Sequence, residues 1–100
     1  MTWYVYLIRT RLDTLYCGVT TNVARRFDEH QGNQSKTAKY LRGKQPLRLV
    51  WQYQALSKQH AMQLEWRIKR LTKRQKEQLC QQTLLPESLM SEEPTWQQKQ

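Results

Sequence analysis

Apolar and polar positions along the chain mark three short strands. A continuous apolar and aromatic run at 3–8 predicts a strand that is buried on both faces, and a second run at 15–19 pairs with it as a hairpin. From 47 to 54, apolar and polar residues alternate with the period of two that is typical of a half-buried strand. The apolar positions of this third strand, which we expect on one face, are Leu47, Leu49, Trp51 and Tyr53.

Helical periodicity and capping residues mark three helices. Candidate N-cap residues precede a helix over 23–31, which a Gly-Asn pair ends. Ser57 caps a second helix that runs to about Arg70. Thr72 begins a capping-box spacing, which predicts a break and a third helix to about Gln82. The second helix has the predicted buried stripe Ala61, Leu64, Ile68 and Leu71.

The element order β-β-α-β-α-α predicts an α+β fold, in which a small three-stranded antiparallel sheet is flanked by helices. A chain of 100 residues is long enough for one domain with a modest core. We assign residues 1–82 to this domain. Residues 83–100 contain two prolines and little periodicity, so we expect them to form a flexible C-terminal tail.

Charge is the most informative bulk property of the chain. It has 17 Lys and Arg against eight Asp and Glu, which gives a formal net charge of +9. This balance favours a polyanionic partner, and nucleic acid is favoured over an anionic membrane. The alternative is a protein whose surface is basic without a specific partner. No apolar run approaches the roughly 18 residues of a membrane span. No basic residue precedes the apolar stretch at the N-terminus, which argues against a secretory signal. We therefore expect a cytoplasmic protein with reduced cysteines and no membrane partner.

Cationic side chains interrupt the apolar stripe of the predicted helix over 23–31. Val23 and Phe27 are four residues apart and face one way, and Arg26 and His30 have the same spacing beside them. In one interpretation the stem of Arg26 packs on the protein while its charged head stays in water. In the other, Arg26 and His30 face a cleft that receives an anion. Spacing alone favours the first interpretation.

An isolated acidic residue raises a similar question on the second helix. Glu65 is the only acidic residue between Glu29 and Glu77, and it lies at the edge of the predicted buried stripe. It would pair with a neighbouring Arg67 or Lys69, or it would bind a divalent cation. The second option is chemically reasonable because a hard cation with phosphate ligands often uses only one or two carboxylates. The helical pattern leaves both options open.

Polar positions spaced along the chain resemble the signature of the GIY-YIG nucleases. The triplet Tyr-Val-Tyr at 4–6 precedes Tyr-Cys-Gly at 16–18, and Arg26, His30 and Glu65 follow. The chain is similar to the small single-domain bacterial members and to the nuclease subunit of the eukaryotic structure-specific junction endonuclease. Both triplets depart from the family pattern only at their less demanding positions.

The resemblance implies a DNA endonuclease, structure-selective, that acts in DNA repair or recombination. In this interpretation Tyr6 accepts a proton from the attacking water, and Tyr16 orients the water or the phosphate. Arg26 stabilises the negative charge that develops on the phosphate. His30 assists proton transfer, and Glu65 holds one Mg²⁺ or Mn²⁺ ion.

Two basic stretches, at 36–48 and 67–76, predict binding to nucleic-acid backbones without sequence preference. Arg25 lies about 100° around its helix from Arg26, which predicts a solvated backbone contact. Tyr40 could stack on an unpaired base, and Gly18 would let the backbone approach closely. The expected nucleic-acid contacts are Gly18, Arg25, Lys36, Lys39, Tyr40, Arg42, Lys44, Arg67, Lys69 and Arg70.

A second class of function remains open from the sequence. The chain would then be a nucleic-acid-binding module with weak or no cleavage that works with a partner protein. The expected nucleic acid is DNA, with RNA as the alternative, and the sequence leaves the oligomeric state undetermined.

Overall fold

The computed structural model describes residues 1–81 and contains one three-stranded antiparallel sheet in the order β2-β1-β3. The strands are β1 (Tyr4–Arg9), β2 (Leu15–Thr20) and β3 (Arg48–Gln54). The helices are α1 (Val23–Gln31), α2 (Lys58–Lys69) and α3 (Lys73–Cys80), and a 3-10 helix covers Lys39–Leu41. The predicted α+β class and element order are confirmed. The predicted tail at 83–100 lies outside the described residues.

The central strand β1 separates two apolar clusters. Val5 and Leu7 point to the side of the sheet that α2 and α3 cover, and Tyr6 and Ile8 point to the side of α1. All four of these side chains are buried, as predicted for this strand. The cluster under α2 and α3 is the larger one and contains the stripe of Ala61, Leu64 and Ile68, with Leu71 half-buried beside it.

A bulge interrupts the regular alternation of β3. Leu7 pairs with Trp51 while the next residue, Ile8, pairs with Leu49, so β3 has one extra residue between the two pairs. The bulge turns Leu49 to the α1 side of the sheet, away from Trp51. The expectation that these two residues share one buried face is therefore wrong, and Leu49 is exposed.

Capping side chains fix where each helix begins. The side chain of Asn22 accepts a hydrogen bond from the backbone N–H of Arg25 at 3.0 Å, and Ser57 does the same for α2. Thr72 and Gln75 form the complete capping box that their spacing predicts.

The segment between α1 and β3 is held against the end of α1. The side chain of Gln31 exchanges two hydrogen bonds with the backbone of Leu47, at 2.9 and 3.3 Å. The side-chain amide of Gln45 donates to the carbonyl of His30 at 2.8 Å, and the hydroxyl of Thr37 donates to the carbonyl of Glu29 at 2.7 Å. This segment, predicted only as a loop, therefore has a defined position beside α1.

A charged pair fastens α3 to the end of β1. The guanidinium of Arg9 donates two hydrogen bonds to the carboxylate of Glu77, at 2.8 and 2.6 Å, and a third to Asp13 at 2.8 Å. The side chain of Arg9 is 16% exposed and that of Glu77 is 31% exposed. Two-pronged geometry and partial burial make this pair stronger than an ordinary surface ion pair.

We expect Glu77→Gln to lower the melting temperature by about 4–8 °C, because the pair contributes about 1 kcal/mol in a domain of this size. Hydrogen bonding from Arg9 lowers the pKa of the Glu77 carboxyl below its ordinary value of 4.5. A lowered pKa means that the contribution is present at neutral pH and is lost as the pH falls through that pKa. Thermal unfolding between about pH 7 and about pH 3 measures both effects.

The matched control is Asp13→Asn, which removes an exposed partner of the same arginine. It should lower the melting temperature by less than Glu77→Gln. Equal effects of the two variants, or a loss that persists unchanged in acid, would contradict this account of how α3 is held.

Candidate active site

Tyr6 and His30 meet in the interior on the α1 side of the sheet. The hydroxyl oxygen of Tyr6 lies 2.9 Å from Nε2 of His30, and both side chains are buried. The other ring nitrogen of His30, Nδ1, accepts a hydrogen bond from the backbone N–H of Ala38 at 3.2 Å. Strand β1, helix α1 and the segment after α1 therefore join at this one histidine.

Two more tyrosines extend the cluster toward solvent. The ring of Tyr16, on β2, meets the ring of His30 edge-on with centroids 5.7 Å apart. Tyr40 stacks on Tyr16 with centroids 6.0 Å apart, and the ammonium of Lys44 lies 3.9 Å from the centroid of Tyr40. Tyr40, which we expected to stack on a base, is thus already stacked on Tyr16 and remains 44% exposed.

Arg26 lies beside this cluster and Arg25 does not. Nη1 of Arg26 donates to the Glu29 carboxylate at 2.9 Å and to the carbonyl of Lys36 at 2.7 Å. Its guanidinium is close enough to Tyr6 to lower the pKa of that hydroxyl. The side chain of Arg25 is 63% exposed, and its Nε lies 4.0 Å from Oε2 of Glu29.

Glu65 approaches from the opposite side of the sheet, on α2. Its carboxylate lies 3.4 Å from the ammonium of Lys69 and is partly exposed. Burial raises the pKa of the Tyr16 hydroxyl, the charges of Lys69 and Arg26 lower it, and the charge of Glu65 raises it. Because β2 is an edge strand, groups from both sides of the sheet influence Tyr16.

Burial sets the protonation of the two central groups. It raises the pKa of the Tyr6 hydroxyl above its ordinary value of 10.0, with a further increase from Tyr16 and an opposing effect of Arg26. Burial also lowers the pKa of His30 from 6.5 to about 4, and the positive charge of Arg26 acts in the same direction. At neutral pH the site therefore holds a protonated tyrosine and a neutral histidine.

Gly18, which has no side chain, leaves the space that the Tyr6 ring occupies. The two residues are paired in the β1–β2 register, and a Cβ added at Gly18 would lie 2.4 Å from the Tyr6 hydroxyl oxygen. We expected this glycine to admit a nucleic-acid backbone. In the structure the space in question is occupied by the protein's own tyrosine, which is a sufficient reason for glycine here.

Glu65 has the chemistry of a ligand for a hard divalent cation. Among residues 1–81, no group of three or more His, Cys, Asp or Glu side chains comes together. An ion at Glu65 would therefore complete its coordination with water and phosphate oxygens, as Mg²⁺ commonly does. The partly exposed carboxylate fits this arrangement.

The predicted nucleic-acid contacts between α1 and β3 differ in their roles. Lys36 and Lys39 are exposed. Arg42 donates to two backbone carbonyls of its own segment at 3.3 Å, so it stabilises that segment. Lys44 is held over Tyr40.

At the end of α2 the predicted contacts lie close in sequence to an exposed tryptophan. Lys69 and Arg70 are exposed, and Arg67 is half-buried. The guanidinium of Arg70 lies 4.6 Å from the ring centroid of Trp66, which is 62% exposed. Such a pair, adjacent in sequence to Glu65, offers a flat aromatic surface among positive charges. No helix in the described part of the chain has the length and apolar character to cross a membrane.

Two groups of the site were missed by the sequence analysis. Glu29 is three residues after Arg26, a spacing that places both on one helix face and could have indicated the pair. Ala38 acts through its backbone N–H, and no pattern of side chains records such a contact.

Comparison with known proteins gives consistent matches. The GIY-YIG catalytic domain matches residues 2–78. A UPF0213 protein of Citrobacter koseri is 54% identical over 77 residues, which cover 77% of this chain and 75% of that protein. A UPF0213 protein of Cronobacter sakazakii is 52% identical over 89 residues, 89% of this chain and 92% of that protein. The solution NMR structure of the UPF0213 protein BH0048 from Bacillus halodurans has 41% identity and a TM-score of 0.53, covering 81% of this chain and 84% of that one.

We expect Gly18→Ala to destabilise the protein by about 1–3 kcal/mol, because the new methyl group overlaps the buried Tyr6 ring. Movement of this ring would also break its contact with His30. Chemical denaturation measures the first effect, and the NMR signals of the His30 ring report the second.

Gly32→Ala is the matched control. Gly32 has an ordinary helical φ of −66°, and a Cβ there would meet no atom closer than 3.4 Å. This variant should leave stability unchanged or raise it by about 0.4–1 kcal/mol. Losses of equal size at both glycines would contradict the steric role of Gly18.

Proposed function

The chain belongs to the GIY-YIG catalytic domain family, and on that premise we propose that it is a structure-selective DNA endonuclease. The family is one of nucleases, so the substrate is a nucleic acid; DNA, branched or unpaired targets and a role in repair are our proposal. The observation that carries it is the convergence of Tyr6, Tyr16, Arg26 and His30 on the α1 side of the sheet.

Arg26 is the proposed stabiliser of the transition state. When water attacks the phosphorus, negative charge grows on the non-bridging oxygens before the bond to the leaving oxygen breaks. A guanidinium can bind two such oxygens at once. Glu29 and the Lys36 carbonyl hold Nη1 of Arg26, which supports a fixed orientation of the group before substrate binds.

Tyr6 is the proposed acceptor of the proton from the attacking water. To act in this way its hydroxyl must first release its own proton to solvent, which burial opposes and the nearby Arg26 favours. The arginine thus assists twice, at the tyrosine and at the phosphate. Tyr16, which is less buried, is the proposed group that orients the water or the phosphate.

Glu65 is the proposed protein ligand of one Mg²⁺ or Mn²⁺ ion. Nucleases of this family generally use a divalent metal. Such an ion, when bound, polarises the phosphate and neutralises the leaving oxygen. Glu65 supplies the carboxylate, and the ammonium of Lys69, 3.4 Å away, helps to hold its orientation.

Preference for DNA structure over DNA sequence is supported by the surface. Lysines and arginines at exposed positions bind phosphates without regard to sequence. Trp66, with Arg70 beside it, is the proposed platform for a base that is not paired. Both features favour junctions, flaps and single-stranded segments over continuous duplex.

The experiment that tests the function compares wild type with Glu65→Gln. We expect Mg²⁺- or Mn²⁺-dependent nicking of branched, flap, nicked or single-stranded DNA by the wild type. Glu65→Gln should lose this activity, because an amide is a poor ligand for a hard cation, and should keep its DNA affinity in EDTA. Gel electrophoresis of cleaved substrate and a gel shift in EDTA are the two measurements.

Asp28→Asn, which removes an exposed carboxylate from α1, is the matched control and should cleave like the wild type. Full cleavage by Glu65→Gln would show that Glu65 is not the metal ligand. If the wild type binds DNA tightly but none of its preparations cleaves it, the second candidate is favoured. That candidate is a binding module that works with a partner protein.

We expect Arg26→Ala to lower the single-turnover rate roughly a hundred- to a thousand-fold, with a smaller loss of binding. Arg26→Lys should recover only part of the rate, because an ammonium retains the charge but not the planar pair of donors. Arg25→Ala should mainly weaken binding, since its side chain points to solvent. If Arg25→Ala slows the chemical step as much as Arg26→Ala, α1 is a general basic surface and the catalytic role of Arg26 is wrong.

A further inference from the structure

Both ring nitrogens of His30 have a partner, and the two partners are chemically different. Nδ1 faces the backbone N–H of Ala38 at 3.2 Å, and Nε2 faces the hydroxyl of Tyr6 at 2.9 Å. The ring is completely buried, so water does not compete for either nitrogen. The direction of each hydrogen bond can therefore be worked out from the partners alone.

A backbone amide can only donate, so Nδ1 of His30 must carry a lone pair and no proton. A neutral imidazole has one N–H, which must then be on Nε2. That N–H points at Tyr6, whose oxygen accepts the hydrogen bond. The hydroxyl proton of Tyr6 is consequently directed away from His30.

We propose that His30 is a neutral hydrogen-bond donor that orients Tyr6, and that the backbone N–H of Ala38 is the positioning group that selects its tautomer. The proposal rests on the proposed function only insofar as Tyr6 takes part in cleavage. It differs from the expectation that His30 transfers a proton. A ring with its acceptor nitrogen bound to Ala38 cannot take the proton of Tyr6.

Contacts around Ala38 support this positioning role. The hydroxyl of Thr37 donates to the carbonyl of Glu29 at 2.7 Å, and the side-chain amide of Gln45 donates to the carbonyl of His30 at 2.8 Å. These two bonds fasten the segment on both sides of Ala38 to the last turn of α1. The amide of Ala38 is therefore held at a fixed distance from the ring it binds.

A hydrogen bond donated by His30 favours the ionised form of Tyr6. A phenolate oxygen that receives a hydrogen bond is stabilised relative to the protonated hydroxyl, and burial makes this bond stronger than it would be in water. His30 and Arg26 thus act on Tyr6 together, one by donating a hydrogen bond and the other by its charge.

The direct test is nitrogen NMR of the histidine rings, which distinguishes a protonated from an unprotonated ring nitrogen without any assay of cleavage. The chain has two histidines, and the second is an internal control. Nδ1 of His60 accepts a hydrogen bond from the backbone N–H of Leu56 at 3.0 Å. Both rings should show a bare Nδ1 and a protonated Nε2 in the wild type. A proton on Nδ1 of His30 would overturn the proposal.

Ala38→Pro removes the proposed donor, and Cδ of the proline ring takes the place of its hydrogen beside the His30 ring. Ala38 has φ −55° and ψ 141°, which proline adopts readily, and the substitution deletes the N–H. We expect His30 to become a mixture of tautomers while His60 stays unchanged, and cleavage to slow roughly two- to ten-fold, as for one lost hydrogen bond. Ala38→Ser, which keeps the N–H, should keep the wild-type tautomer of His30. An unaltered His30 in folded Ala38→Pro would refute the role of Ala38.

A second pair of variants tests His30 itself and does not depend on Ala38→Pro folding. In His30→Gln, the amide oxygen can accept from Ala38 and the amide nitrogen can donate to Tyr6, yet the group takes no proton near neutral pH. His30→Leu can do neither. We expect His30→Gln to cleave within roughly ten-fold of the wild type, and His30→Leu to lose roughly ten- to a hundred-fold more.

Equal loss in both variants would mean that His30 transfers protons, and the proposal would be wrong. If the wild type cleaves no substrate, the proposed function fails while the NMR result still decides the tautomer. The two failures can thus be told apart.

Discussion

The packing of the Tyr6 ring against Gly18 is the constraint on which the site depends. Two paired residues of adjacent strands share one position on the sheet, and only a residue without a side chain leaves room for the ring. With the ring in that position, its hydroxyl reaches His30 on α1. The same ring thus fixes a catalytic candidate, joins the hairpin to the helix and sets how closely α1 approaches the sheet.

The two sides of the sheet therefore differ in composition and role. On the side of α2 and α3, aliphatic residues form the larger cluster, and this side supplies most of the apolar burial that stabilises the domain. On the side of α1, buried polar groups replace part of the core, and each has a hydrogen-bond partner. A small protein can hold such a polar cluster only because the opposite side of the same strand is so well packed.

Much of the fold could be predicted because its signals are local. The caps at Asn22, Ser57 and Thr72 and the apolar runs are readable from a few neighbouring residues. The bulge at Leu49 was not predictable, since it depends on how β3 meets β1 and not on the composition of β3. For the site, the resemblance supplied the candidate residues but not their states: burial of His30 and its bond to Ala38 arise only when distant segments come together.

Electrostatics links the site to its expected substrate. Arg26 is half-buried, and it shares its carboxylate partner, Glu29, with Arg25. Glu65, on the other side of β2, is the isolated acid of a strongly basic chain. A phosphodiester between them would meet positive charge on the α1 side, and a cation bound to Glu65 would supply it on the α2 side. Tyr16 is on the edge strand β2, and this explains why its hydroxyl pKa responds to Arg26 on the α1 side and to Glu65 and Lys69 on the α2 side.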